Sequence, residues 1–204
     1  MAGISTPLQI APVTLTGRFV RLEPLTLAHG NALAVFACDP SIWSWMPTRA
    51  LDRVGLDAWI GEALDAERAG TTLPFATVLL AENRVVGSSR FLNISARDGR
   101  LEIGATWIGV PHQRSVVNTE AKLLMLRHAF ETLGATRVEL KTHSENVKSR
   151  RAIERIGAKF EGIHRKHMLH NDGSRRDTAW YSIVDDEWGA VRERLEAKLQ
   201  TGFG

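Results

Sequence analysis

The sequence predicts a mixed α/β fold, a mostly antiparallel sheet with one parallel strand pair at its centre, flanked by helices and finished by a C-terminal helix. Three observations carry this reading. Within residues 101–108, Leu101, Ile103, Ala105 and Trp107 alternate with Glu102, Gly104, Thr106 and Ile108, the period of two of a pleated strand. Beyond Pro111, Leu123, Leu126, Phe130 and Leu133 recur at helical spacing as far as Gly134, and residues 136–142 return as a strand. A strand–helix–strand unit of this kind crosses over right-handedly and lays its strands parallel. Turn signals at Glu82-Asn83, Arg97-Asp98-Gly99 and Asn171-Asp172-Gly173 place antiparallel hairpins on either side.

In chain order, residues 1–16 read as a loosely held leader and 17–204 as a single domain. Residues 19–25 alternate as a first strand, with Pro24 near its end or edge. The Ala-rich stretch 28–38 is helical in propensity until Asp39-Pro40 breaks it. Two tryptophans follow in an irregular segment, 42–47, and a helix over 53–69 ends at Gly70. Residues 75–80 and 84–94 are the arms of a hairpin. For the helix after strand 101–108, Asn118 and Thr119 are good N-cap types, and Glu120 puts negative charge in its first turn. The unpaired N–H groups at that end make residues 114–119 a candidate phosphate cradle. A helix over 146–156 turns Val147, Ala152, Ile153 and Ile156 to a core and stops at Gly157. Residues 159–170 and 176–184 are the last strands. The helix from Asp185 to Leu199 carries Trp188, Val191, Leu195 and Leu199 three and four apart.

Composition removes several classes. With 44% hydrophobic and 24% charged residues and no apolar run near eighteen, the chain reads as soluble, without a membrane span. The start of the chain lacks a secretion signal, and the single cysteine, Cys38, cannot form an internal disulfide, so the cytoplasm is the expected compartment. A net charge of +3 suits an anionic ligand and a nucleic acid equally. The basic runs Lys148–Arg155 and His164–His167 are shorter and more mixed in sign than a nucleic-acid arm, and no DNA- or RNA-binding signature accompanies them. No metal is expected, because His167 and His170 would point to opposite faces of a strand without a third ligand. Trp188 and the last helix could cover either the sheet or a second subunit, which leaves a homo-oligomer open.

The order of elements, together with the segments HQRSVVNTEAKLLMLRHAFETLGATRVEL and ENVKSRRAIERIGAKFEG, resembles the GNAT superfamily of acyl-CoA-dependent N-acyltransferases. Within it, the chain resembles the group that includes the ribosomal-protein alanine N-acetyltransferases, over about residues 14–190. The resemblance implies acetyl-CoA as acyl donor, acceptor-side helices over about 28–69 and an acetyl-CoA core over about 75–184. The family's loop, Gln/Arg-x-x-Gly-x-Gly/Ala, falls on Gln113, Arg114, Ser115, Val116, Val117 and Asn118, followed by Thr119. Val116 and Asn118 thus stand where the family has small residues, and Arg114 and Ser115 offer a charge-assisted and a hydroxyl hydrogen bond in compensation. By resemblance, Trp107, Ile108 and Gly109 pair their exposed backbone with the pantetheine arm, where the strand splays from its neighbour. Asn146 hydrogen-bonds the same arm.

The implied chemistry is direct attack of a neutral amine on a thioester carbonyl, which needs a proton acceptor for the amine and a proton donor for the departing sulfur. Glu102, eleven residues before Gln113, matches the general base of histone-type members. Glu139, on the neighbouring strand, matches the position used in ribosomal-protein relatives. Ile153 stands where many relatives have an acidic tyrosine, so Ser149 is carried over as the group near sulfur. Trp43, Trp45 and Met46 lie in the connection that walls the acceptor cleft in the family. The expected function is therefore N-acetylation of a primary amine, on a protein N-terminus or a small molecule. The rival, prompted by Val116, Asn118 and Ile153, is a catalytically inactive CoA-binding or interaction module.

Overall fold

A computed structural model describes residues 7–201. Strands β1 (Leu15–Thr16) and β2 (Val20–Pro24) lead into three helices, α1 (Gly30–Ala37), α2 (Pro40–Trp43) and α3 (Arg53–Arg68). These are followed by β3 (Leu73–Leu79), β4 (Arg84–Ser95), β5 (Arg100–Ile108), α4 (Val116–Arg127) and β6 (Arg137–His143). The chain finishes with α5 (Val147–Arg155), β7 (Lys159–Leu169), β8 (Arg175–Val184) and α6 (Asp185–Thr201). One eight-stranded sheet runs in the order β1-β2-β3-β4-β5-β6-β8-β7. Only β5 and β6 are parallel; the other neighbours are antiparallel. The mixed sheet, its central parallel pair and the closing helix agree with the fold that the sequence predicts.

Side-chain caps set where the helices begin. Asp52 accepts from the Gly55 N–H at 2.7 Å to start α3. Asp39 accepts from Ser41 N–H at 2.9 Å, with Pro40 at the first helical position, so the segment expected to be irregular opens with a helical turn. α4 starts at Val116 rather than after Asn118 or Thr119. Its N-cap is Ser115, whose Oγ accepts from Val117 N–H at 3.3 Å and donates to the His112 carbonyl at 2.6 Å. The helix widens into a π-turn over His128–Thr132, and Gly134 closes it at φ 71. Part of the expected leader, residues 1–6, lies outside the described residues. In the described part, Leu8 is buried and donates its N–H to the Ala96 carbonyl at 3.2 Å, while most of its neighbours are exposed.

Consecutive strand residues reveal which helices cover which face. Ser89 and Arg90 point to opposite sides of β4. The Ser89 hydroxyl meets Lys122 of α4, whereas Arg90 donates to the Trp59 carbonyl of α3 and lies 3.8 Å from that ring's centroid. α4 and α3 therefore cover opposite faces. The core between them is dominated by Val20, Leu22, Phe75, Phe91, Leu101 and Met125, all buried.

Glu120 is not a first-turn surface charge. It is buried, and its carboxylate accepts the backbone N–H groups of Arg18, Phe19 and Val20 at 2.8, 2.7 and 2.6 Å, fastening the β1–β2 turn to α4. A Cβ at Gly17 would lie 2.5 Å from the Glu120 carboxyl carbon, so that turn has room only for glycine. Lys122, two residues on, is also buried and bonds only to hydroxyls, Thr106 Oγ1 at 2.6 Å and Ser89 Oγ at 3.1 Å. Burial lowers its pKa from 10.5 to about 7.

Glu120→Gln turns one acceptor oxygen into a donor facing backbone N–H groups and should cost about 1–3 kcal/mol in denaturant unfolding; an unchanged midpoint would show that the turn does not depend on the carboxylate. For Lys122, between about 7 and its ordinary 10.5 the unfolded chain binds a proton that the folded chain does not. Stability should therefore rise with pH across that window, by up to about 1.4 kcal/mol per pH unit from this group. Lys122→Met should remove that slope and stabilise the protein at pH 7. A slope that survives the substitution would mean that the rise has another origin.

Candidate active site

The site is organised by a ladder that stops early. β5 and β6 pair only at Arg100↔Arg137, Leu101↔Val138 and Glu102↔Glu139, so from Ile103 onward β5 has no strand partner on that side among the described residues. On its other side the register with β4 skips around Ser89 and again near Asn93. Both irregularities place a residue in the left-handed region, Ala105 at φ 47 and Asn93 at φ 48. The alternation of residues 101–108 is broken at this bulge: Ala105 and Thr106 together stand opposite a single β4 residue. Past the bulge, Gly109 N–H donates to the Val86 carbonyl at 2.8 Å, which turns the Ile108 carbonyl toward the gap. Trp107 sends its side chain into the core, beside Trp43 and Trp59.

The loop that ends the gap has the helix N-terminus at its base. Val116, Val117 and Asn118 form the first turn of α4 at helical φ, so the replaced small residues are not required by the backbone there. The left-handed position of the loop falls instead on Arg114, at φ 58, whose side chain is exposed. Thr119 is buried inside the helix, and the Asn118 Oδ1 is buried without a hydrogen-bond partner among the described residues. Gln113 bridges the mouth: its Nε2 donates to the Ile108 carbonyl at 2.9 Å, and its Oε1 accepts from Lys148 of α5. Across the gap, Asn146 caps α5, with Oδ1 accepting from Ser149 N–H at 3.1 Å, and its amide NH2 has no acceptor among the described residues. Ser149 is half-buried one turn into that helix.

The two glutamates are neighbours in register, yet their surroundings differ. Glu102 is 1% exposed; its Oε2 accepts from Lys141 Nζ at 2.9 Å and from Asn93 Nδ2 at 2.7 Å. Its Oε1 has no partner among the described residues, and a Cβ at Gly104 would lie 2.7 Å from it, so the glycine keeps that oxygen clear. Glu139 is held at both oxygens, by Arg137 Nε at 2.9 Å and Arg100 Nη1 at 3.7 Å. Arg137 in turn meets Glu161 of β7.

The acceptor wall separates into a core residue and a surface residue. Trp43 is fully buried, with its Nε1 donating to the Ala37 carbonyl at 2.6 Å, and so stands behind the wall rather than on it. Trp45 is 39% exposed and meets His143 edge-on, with ring centroids 5.0 Å apart. Met46 packs partly buried against the core. Carbonyls of this segment are held from the β7–β8 hairpin: Asn171 Nδ2 donates to Trp43 O at 2.9 Å and to Met46 O at 2.7 Å, and Arg176 Nη1 to Trp45 O at 3.3 Å. Burial, with Arg176 nearby, holds the His143 imidazole below its usual pKa.

Lys141, Asn93 and Arg176 are absent from the sequence reading, which placed Asn171 in a turn and not at the site. The alternation of Arg137, Glu139 and Lys141 in residues 137–141 was a signal for a polar sheet face. Nothing in the sequence marks Arg176 or Asn93. Among the described residues there is no cluster of His, Cys, Asp and Glu suited to a metal, and no helix long and apolar enough to cross a membrane.

The acetyltransferase (GNAT) domain family matches residues 20–159. YdaF of Bacillus subtilis (strain 168), provisionally named a ribosomal N-acetyltransferase, is 32% identical over 110 residues. That match covers 54% of this chain and 59% of YdaF, less than two thirds of the relative's length. A crystal structure of a GCN5-related N-acetyltransferase from Brucella melitensis superposes with a TM-score of 0.87 at 34% identity, over 95% of this chain and 88% of that one. RimJ of Mycobacterium smegmatis, solved in complex with CoA-disulfide, shares the fold with a TM-score of 0.80 at 22% identity, over 91% and 94% of the two chains. With that domain matched over residues 20–159 and the fold shared end to end, the chain belongs to the GNAT acetyltransferase family.

Proposed function

We propose that the protein is an acetyl-CoA-dependent N-acetyltransferase of the cytoplasm, whose acceptor is a primary amine that enters between Trp45 and the polar face of β6 and β8. The observation that carries this is the splay of β5 from β6 beyond Glu102, which leaves the Ile108 backbone facing a gap bounded by the N-termini of α4 and α5. The YdaF name, a ribosomal N-acetyltransferase, supports a protein acceptor, and a small-molecule amine fits the same gap.

Acetyl-CoA, when bound, supplies the acetyl group as a thioester. The Ile108 backbone and the Asn146 amide are the groups for its arm, and the first-turn N–H groups of α4 with Arg114 are those for its phosphates. The acceptor ammonium must lose a proton before its nitrogen bonds to the acetyl carbon; the carbon–sulfur bond then breaks and sulfur takes up a proton. Glu102 is the better proton acceptor of the two glutamates, because Oε1 is unoccupied while both Glu139 oxygens meet guanidinium groups. The Ser149 hydroxyl is a hydrogen-bond donor toward the sulfur.

Thermal unfolding with acetyl-CoA, CoA and ADP at fixed salt, paired with release of free thiol from acetyl-CoA in the presence of amines, tests the reading. At about 100 times Kd a ligand stabilises the native state by roughly 2.7 kcal/mol. Acetyl-CoA and CoA should shift the transition well beyond ADP; no shift with millimolar ligand would end the proposal. Glu102→Gln should lower transfer by about 100-fold or more while CoA still stabilises the fold, and Glu139→Gln should lower it far less. The reverse order would move the proton acceptor to Glu139.

A further inference from the structure

The floor of the acceptor cleft carries more positive charge than the reaction needs. Glu139↔Ser182, Lys141↔Trp180 and His143↔Thr178 are cross-strand pairs of β6 and β8, and the Lys141–Glu102 ion pair shows which face they share. Arg176, at the foot of the same wall, is 4% exposed. Its bonds are to neutral oxygens, Trp45 O and Thr178 Oγ1, both at 3.3 Å, and no carboxylate of the described residues lies within ion-pair distance of it. The same Thr178 hydroxyl bonds His167 Nδ1 at 3.2 Å. His167 opens onto a basin of about 700 Å³ lined by His164, Arg165, Lys166 and His167.

Charge balance then decides. The carboxylate whose charge offsets the burial of Arg176 is Glu102, and its Oε2 is already taken by Lys141. Two cations, Lys141 and Arg176, thus share one carboxylate, before Arg165 and Lys166 of the basin are counted. A guanidinium out of water without a counter-ion is costly, and sites are where such costs are kept. An acceptor whose only charge is its ammonium would be repelled by this floor. Resting on the acetyltransferase reading, we propose that the acceptor carries a carboxylate close to its amine, and that Arg176 binds it. The planar fork of arginine suits a carboxylate at two points, and the ammonium is then left beside Trp45 and Glu102. The carboxylate belongs either to a free amino acid or to an acidic side chain next to a peptide N-terminus.

The test compares acid and amide partners of equal shape: glycine with glycinamide, and peptides beginning Ala-Asp with those beginning Ala-Asn. In wild type, kcat/KM should favour the acid member of one pair by about tenfold or more, and the preference should shrink as salt rises. The pair that shows it tells free amino acid from peptide. In Arg176→Gln the ratio should fall toward one, and in Arg176→Lys, which keeps charge without the fork, to an intermediate value. A wild-type ratio at or below one, or a ratio that Arg176→Gln leaves unchanged in a folded protein, overturns the proposal, and the wild-type arm requires no variant. Calorimetric binding of the same pairs in the presence of CoA separates the two readings. Acid-selective binding without transfer to any amine would keep the anion site and end the acetyltransferase reading, whereas transfer without acid selectivity would do the opposite.

Discussion

The register of β5 is the constraint on which the rest of the molecule depends. It pairs with β4 along its length but with β6 for only three residues, and the bulge at Ala105 redirects it away. A side chain at left-handed φ costs about 1–2 kcal/mol. The strain at Ala105 and Asn93 is offset locally: Thr106, next to the first, is bonded to Lys122 and Ser89, and the Asn93 amide is bonded to Glu102. The same contacts that hold the two irregular residues therefore also hold the proposed proton acceptor and the edge of the donor gap. Backbone strain of this sort gathers where a site must be pre-shaped.

Neighbours, more than depth, separate the two glutamates. Both are nearly buried, and they stand directly opposite each other across the parallel ladder. Glu139 belongs to an ion cluster that runs through Arg137 to Glu161, whose carboxyl is lowered to about 2 by its bonds to Arg137 and Ser182. Such a cluster links β6 to β7 across β8, and removing one member would leave a charge without its partner, a larger loss than the pair's net contribution. Glu102 has one ammonium and one amide on a single oxygen. The other oxygen is open over Gly104, which has no side chain to cover it. Occupancy, in this pair, separates a structural carboxylate from one with a lone pair to spare.

Much of the fold was legible because local signals agreed with it. The crossover from 101 to 142 gave the parallel pair, and Gly134 and Asn171-Asp172-Gly173 stop or turn the chain where expected. The start of α4 was misread, since Asn118 and Thr119 are better cap types on average than in this place; Ser115 prevails because its hydroxyl reaches both Val117 and His112. Glu120 was misread for a related reason. A glutamate in the first turn normally faces water, and only a partner a hundred residues earlier in the chain, the 18–20 turn, makes its burial favourable. The same holds for Arg176 and Asn93, which become site residues through contacts that no periodicity encodes. Trp43 and Trp45, two residues apart, could be assigned to core and surface only once the segment's path was known.

That segment shows how the expected acceptor wall is held beyond the single helical turn with which it opens. Carbonyls that leave a helix end unpaired must find donors. Those of Trp43, Trp45 and Met46 find them on the β7–β8 hairpin, in Asn171 and Arg176. On the inner side, Trp43 packs with Trp59 and Trp107, ring centroids 5.8 and 6.1 Å away, in the tilted and edge-on geometry that aromatic pairs favour. Trp107 is the residue before Ile108, whose backbone faces the donor gap. The wall is therefore braced on one side by the hairpin that carries Arg176, the proposed anion-binding arginine, and on the other by the strand proposed to meet the donor. The two sides are connected through packed tryptophans and hydrogen-bonded carbonyls, so a change in the seating of β5 passes from Trp107 to Trp43, two residues before Trp45 in the chain.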